Sequence, residues 1–241
     1  MGKLDGKVAL VTGSNRGIGK GIALGLAAEG AGLVIAARNA TTLKDVEATL
    51  QAQGTQVLAV PTDVSDEAQV EALFAKTMER FGRLDILVNN AGAFDGGPLD
   101  QLATEAWNNV IAVNLTGPFL CTRAAMRIMK QQRVGRIINI GSVSGTRVRP
   151  NSAPYAVSKH GIWGLTQSIA LEGREFNISA CCLNPGNTRV EPKGPRTNER
   201  EAMMDVPDLA EAAVLMATLP PHMTMLEAIV MPIQMPYIGR G

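Results

Sequence analysis

The chain has 241 residues, is 46% hydrophobic and 19% charged, and carries a net charge of +1. That is enough for one sizeable core in a single α/β domain. It offers no basic field for nucleic acid or anionic lipid, and 4% aromatic residues make base-stacking surfaces scarce. No long apolar segment follows the charges at the N-terminus, so no signal peptide is read there. The most apolar region, 22–37, is broken by Glu29 and three glycines and reads as helix, turn and strand, not as a membrane span. We expect a cytoplasmic protein with no nucleic-acid or membrane partner. Cys121, Cys181 and Cys182 lack metal-ligand spacing and read as reduced, buried small hydrophobes; no metal is expected.

Taken in order, short apolar runs alternate with longer amphipathic segments. Residues 8–11, 33–37, 57–60, 86–88, 136–140 and 178–183 read as strands. They are mostly continuously apolar, as strands buried on both faces of a parallel sheet should be. Helical patterns cover 17–29, 43–53, 67–81, 104–132, 155–176 and 207–219, and a last apolar run follows at 228–231. Repeated β-α-β units predict a Rossmann-like, doubly wound parallel sheet with helices on both faces. No composition break divides the chain, so 1–241 is read as one domain. The polar, aperiodic stretch at 187–206 is read as a substrate loop or lid within it.

The first strand runs into Gly13, Ser14, Asn15, Arg16, Gly17, Ile18 and Gly19, and a helix follows. Glycines at such a junction let the backbone turn tightly toward a pyrophosphate, which the helix N-terminus then holds. At the end of the second strand an NAD-selecting fold usually carries an acid for the ribose 2′-hydroxyl. Here the residues are Ala36, Ala37, Arg38 and Asn39. Arg38 and Arg16 suit a 2′-phosphate instead, so NADP(H) is favoured and NAD(H) is the alternative. Asp63, followed by Val64, either meets the adenine or caps the next helix. Asn90, Ala91 and Gly92 end the fourth strand where such a sheet opens to ligand. Asn114 is a polar side chain in an apolar helical run. It either satisfies a carbonyl freed near Gly117-Pro118 or holds a water.

Pro154 suits the first turn of a helix. Tyr155 and Lys159 then share one face at i and i+4. An ammonium about 4–5 Å from the phenol would favour the phenolate by about 3–4 kcal/mol before desolvation offsets part of it. That makes the pair an acid/base device within reach of neutral pH.

Thr12-Gly13-x-x-x-Gly17-x-Gly19, Asn89-Asn90-Ala91-Gly92, Asn114, Ser142, Tyr155-x-x-x-Lys159 and Pro185-Gly186 together resemble the motifs of the short-chain dehydrogenase/reductase family, in its short single-domain branch. The resemblance covers 5–186. It implies transfer of the pro-S hydride between a nicotinamide and a carbonyl or alcohol carbon. By that resemblance Tyr155 is the general acid/base and Ser142 hydrogen-bonds the substrate oxygen. Lys159 binds the nicotinamide ribose and favours the phenolate, and Asn114 positions a water that relays protons. Pro185, Gly186 and Thr188 would meet the nicotinamide, although Thr188 stands only two residues after Gly186.

Ser144, Arg147, Arg149 and Asn187 are the residues expected at the substrate, with Lys193 and Arg196 flanking it. The ending Glu227-Ala-Ile-Val-Met-Pro232-Ile-Gln234 lacks a Gly-Gly turn. It resembles the endings of members acting on small hydroxy acids or related alcohols more than those of fatty-acid-type ketoacyl reductases. An NADP(H)-dependent carbonyl reductase is the leading reading. The alternatives are an NAD-dependent dehydrogenase of a sugar alcohol or hydroxy acid, and a 3-oxoacyl thioester reductase. The helix at 155–176 is apolar nearly all round, which predicts burial on two sides and a homo-oligomer, with a tetramer favoured by the resemblance.

Overall fold

A computed structural model describes residues 2–190 and 201–237. Seven strands form one parallel sheet in the order β3-β2-β1-β4-β5-β6-β9. They are β1 (Val8–Thr12), β2 (Gly32–Ala37), β3 (Val57–Pro61), β4 (Ile86–Asn89), β5 (Gly135–Ile140), β6 (Ile178–Pro185) and β9 (Glu227–Val230). The two-residue strands β7 (Thr188–Arg189) and β8 (Met204–Asp205) pair separately. The helices are α1 (Gly17–Ala28), α2 (Ala40–Ala52), α3 (Glu67–Phe81), α4 (Thr104–Ile111), α5 (Gly117–Gln132), α6 (Ala153–Gly173) and α7 (Val206–Thr218). The doubly wound parallel sheet expected from the sequence is what forms. Among the described residues, no helix is long and apolar enough to cross a membrane.

The continuous apolar runs are explained by two cores, one on each face of the sheet. Ala9 and Val11 of β1 join Ile22, Leu26, Leu43, Leu50, Leu209 and Met216 under α1, α2 and α7. Val8 and Leu10 point the other way, to Leu73, Leu120, Met129 and Ile169 under α3, α5 and α6. Alternate residues of a strand face opposite layers, so both must be apolar. Local signals set the helix ends. Asn39 caps α2 by accepting from Thr42 N–H, and Asp66 caps α3 by accepting from Gln69 N–H. Asp205 and Asp208 form a capping box on α7.

Two buried charges brace the sheet. Asp85, just before β4, accepts from Val8 N–H at 2.9 Å and from the Arg83 guanidinium at 2.7 and 2.8 Å, with Lys7 at 3.3 Å. Burial alone would raise its carboxyl, but the Arg83 and Val8 hydrogen bonds and the Lys7 charge outweigh that and hold it below the usual carboxylate range. Arg136 in β5 is buried and donates to four carbonyls, those of Met216, Leu219, Pro220 and Met223, at 2.7–3.2 Å. It therefore satisfies the acceptors left at the C-terminal end of α7.

The helix expected over 104–132 forms over its whole length, but not as one regular α-helix. A π turn, Ala112–Thr116, separates α4 from α5. The physical reason is Pro118, which has no N–H to return to the carbonyl four residues back. Gly117 N–H bonds Ala112 O instead, one residue further than an α-helix would allow.

Candidate active site

In a sheet of this order, the strand order reverses between the parallel neighbours β1 and β4, and ligands bind at the carboxyl ends of the strands there. The glycine turn lies at that crevice. Gly13 and Gly17 have φ of +65° and +53°, values that favour glycine. Ser14 is buried and exchanges hydrogen bonds with the main chain of Ala36 at the end of β2. Asn15 donates to Thr42 Oγ1 at 2.9 Å, and buried Gly19 and half-buried Ile18 open α1. Arg16 is exposed at the N-cap, gives the first turn no side-chain hydrogen bond, and no acid follows in that turn. The α1 dipole and N–H groups thus face the crevice without a side-chain cap, which fits a pyrophosphate.

At the end of β2, Arg38 is exposed, with its guanidinium 3.9 Å from Asp63. Asp63 does not cap α3, because Asp66 does. Its Oδ1 accepts from Ser65 N–H and Oγ instead. Val64 is buried beside it, against Gly117. On the next strand end, Asn90 donates through Nδ2 to the carbonyls of Thr12 and Gly13. The N–H groups of Asn90 and Ala91 both donate to Thr12 Oγ1 at 3.0 Å. Asn90 therefore stitches β4 to the glycine turn, while Gly92 stands exposed beyond it.

Asn114 occupies the π turn and is buried. Its Oδ1 accepts from Ala93 N–H at 2.7 Å, and Nδ2 donates to Ala93 O at 2.9 Å and to Ser158 Oγ at 3.2 Å. The side chain therefore clamps the segment after β4 to α6, and neither reading made from the sequence anticipated that pairing.

The groups expected to react from the sequence stand after β5 and on α6. Ser142 follows β5 in extended backbone and its Oγ accepts from Ser144 N–H at 3.1 Å. With that lone pair taken, the hydroxyl proton is available to donate. Ser144 itself is buried in the 3-10 turn Val143–Gly145. Pro154 sits in the first turn of α6. Tyr155 is half-buried, with Phe94 edge-on at a centroid distance of 5.3 Å. The Lys159 ammonium is buried, donates to Ile140 O at 2.7 Å, and stands 5.6 Å from the Tyr155 ring centroid. The i, i+4 spacing does bring the cation to the phenol face of the helix. The carbonyl at the end of β5 then holds it there.

The residues expected at the substrate divide. Arg149 donates to Asn187 Oδ1 at 3.1 Å and to Glu201 Oε2 at 2.9 Å, and Asn187 Nδ2 donates to the same carboxylate oxygen at 2.8 Å. Its charge is thus held by Glu201 and is not free for an anion. Arg147 is exposed, 5.8 Å from the Tyr237 ring centroid. Pro185 closes β6, Gly186 packs beside Met231 and Met235, and Thr188 is buried with its hydroxyl on Gly186 O. Lys193 and Arg196 lie outside the described residues. Sequence reasoning missed Phe94 and Glu201. A lone aromatic two residues after Gly92, in a chain so poor in aromatics, was the available signal for Phe94. Glu201 carried none.

A family model described as short chain dehydrogenase matches residues 7–201. The 3-oxoacyl-[acyl-carrier-protein] reductase of Synechocystis sp. is 41% identical over 187 residues, 77% of this chain and 76% of that protein. The D-beta-hydroxybutyrate dehydrogenase of Cupriavidus necator is 39% identical over 183 residues, 76% of this chain and 71% of that protein. Among solved structures, a metagenomic short-chain oxidoreductase in complex with NADP superposes with a TM-score of 0.85 at 34% identity, covering 95% of this chain and 98% of the other. An alcohol dehydrogenase from the archaeon Thermococcus sibiricus, complexed with 5-hydroxy-NADP, also gives 0.85 at 30% identity, with 93% and 95% covered.

Proposed function

The chain belongs to the short-chain dehydrogenase/reductase family, and we propose that within it the protein is an NADP(H)-dependent reductase of small, uncharged carbonyl compounds. It is an oxidoreductase acting between CH–OH and C=O with a nicotinamide cofactor. The observation that carries the finer reading is the pairing of a Ser142–Tyr155–Lys159 site with Arg38, where an NAD-selecting fold would carry an acid.

When bound, the dinucleotide supplies the hydride. The protein does the rest. Gly13, Gly17 and the α1 N-terminus receive the pyrophosphate, and Arg16 and Arg38 receive a 2′-phosphate. The long Arg38–Asp63 contact is exposed and weak enough to yield to that phosphate. Pro185, Gly186 and Thr188 border the nicotinamide. Ser142 donates its free proton to the carbonyl oxygen and Tyr155 delivers the proton that completes the alcohol. Lys159, beside the phenol, stabilises the phenolate left behind. Asn114 holds the Ala93 backbone and α6 together. Because Arg149 is held by Glu201, the reading favours an uncharged ketone or aldehyde over a keto acid. Phe94 and Ser144 then supply the apolar and polar borders of the opening, and 187–206 acts as the substrate loop.

The α5–α6 face supports a homo-oligomer. Phe119, Val157 and Leu171 are exposed there, and a groove of about 280 Å³ lies between the helices, lined by Phe119, Met126 and Leu165 among others. A second copy packed on this face would give α6 its second buried side, and a tetramer is the assembly inferred. The free, buried cysteines accord with a reducing, cytoplasmic setting. The test is an NADPH- and NADH-linked assay over cyclic ketones, aldehydes, keto acids and ketoacyl thioesters. NADPH oxidation with uncharged carbonyls, and loss of the NADPH preference in Arg38→Ala, is the expected result. A preference for NADH, or turnover confined to keto acids or thioesters, would overturn the finer reading.

A further inference from the structure

Behind Ser142 lies a hydrogen-bond chain that reaches the edge of the sheet. Asn184, near the end of β6, is buried, with a relative exposure of 5%. Its Oδ1 accepts from Ser142 N–H at 3.0 Å. Its Nδ2 donates to Glu227 Oε1 at 2.9 Å. Glu227 is the first residue of β9 and is exposed. The thiol of Cys182 also points at Asn184 Oδ1, at 3.5 Å. The amide comes this close because Gly141 carries no side chain: a Cβ there would overlap Asn184 Oδ1.

An asparagine amide has an acceptor end and a donor end, and its neighbours decide which way it faces. A carboxylate only accepts, so Glu227 draws Nδ2 outward and leaves Oδ1 aimed at Ser142. Turned over, the amide would set N–H against N–H at Ser142 and oxygen against oxygen at Glu227. A buried group in that state loses the full value of its hydrogen bond. Ser142 N–H in turn fixes the backbone from which the hydroxyl departs, while Ser144 N–H fixes the hydroxyl's other side.

We propose that Asn184 and Glu227 are positioning residues for Ser142, with the Glu227 carboxylate setting the amide of Asn184 and the amide setting the serine that donates to the substrate oxygen. This rests on the role given to Ser142 above. A misplaced donor weakens the contact made most strongly in the transition state, so the effect falls on kcat and not on dinucleotide binding.

The test uses Glu227, whose exposure on an edge strand lets the protein fold with a changed side chain. Glu227→Gln keeps an acceptor for Asn184 and is expected to hold kcat near the parent value. Glu227→Lys offers only donors, favours the reversed amide, and is expected to lower kcat about tenfold or more, part of the 10²–10³ that losing an oxyanion donor costs. NADPH affinity, read by fluorescence, stays unchanged, and the thermal midpoint falls by only the few degrees that a strained buried amide costs. In a Ser142→Ala background the Glu227→Lys loss should vanish. A Glu227→Lys protein with full kcat, equal losses in Glu227→Gln and Glu227→Lys, or the same fold-loss with and without Ser142, would overturn the proposal. Full activity in Ser142→Ala would overturn the role of Ser142 as well, which separates the two failures.

Discussion

At the scale of single residues, the site uses side chains whose freedom has been removed by ordinary backbone groups. Ile140 O holds the Lys159 ammonium and Ser144 N–H holds the Ser142 oxygen. Tyr155 is left as the group with a proton to give. Tyr155→Phe should lower kcat about 10²–10⁴-fold while dinucleotide binding is retained, which steady-state kinetics and a binding titration would check.

Asp85 makes a prediction of the opposite kind, on stability alone. Its carboxyl is depressed below 3.8 in the folded protein. Its contribution is therefore complete above about pH 4 and lost as pH falls through the lowered value. Asp85→Asn should cost about 1–2 kcal/mol at neutral pH, a discounted figure because Lys7 and Arg83 are two-fifths exposed. The deficit should shrink toward pH 3, as read by urea unfolding across pH.

The approach of Tyr155 and Lys159 was legible in the sequence because the two lie four residues apart on one helix. The Arg149–Glu201 pair was not, because its partners stand 52 residues apart and no periodicity links them.

Among elements, the strands were the most readable, since burial on both faces demands runs such as Val8–Thr12. The start of α3 at Glu67 was plain, although Asp66 and not Asp63 caps it, while the Asn39 cap that starts α2 at Ala40, three residues before the expected 43, was not read. The π turn between α4 and α5 was not read, although Pro118 stood in view. A proline near a helix start is compatible with either a new helix or a continuing one. The Asn114–Ala93 clamp, a contact between distant segments, then holds the π turn in place. The end of α7 was read to within one residue, at 219 against Thr218, but the arginine from another layer that holds its carbonyls was not. Arg136→Met removes the donor shared by four carbonyls and should cost about 2–4 kcal/mol in denaturant unfolding. Hydrogen exchange should rise first at the α7 end.

Across the whole molecule, burial controls chemistry far from the site. The Cys121 thiol is pushed up to about 12 and Cys182 to about 11, each chiefly by burial. A thiol reagent at pH 8 should label none of the three cysteines of the native protein and all three after unfolding. Oligomer formation belongs to this scale too. Light scattering at micromolar concentration should give a mass above 25.5 kDa, and Phe119→Glu should reduce it.

The place of β1 in the sheet also dictates the order in which the chain can be completed. Its neighbour on one side, β2, follows after a single helix, but the neighbour on the other, β4, arrives only after two further βα units. A ribosome that has released β1, β2 and β3 has therefore made three of the seven strands, with β1 left as a bare edge. That open edge is a template for pairing with other chains. Closing it requires a non-local contact, which is slow. The crevice that receives the dinucleotide in the finished enzyme thus begins as the most aggregation-exposed seam of the growing one. Its risk ends only when Ile86–Asn89 arrives to fill it.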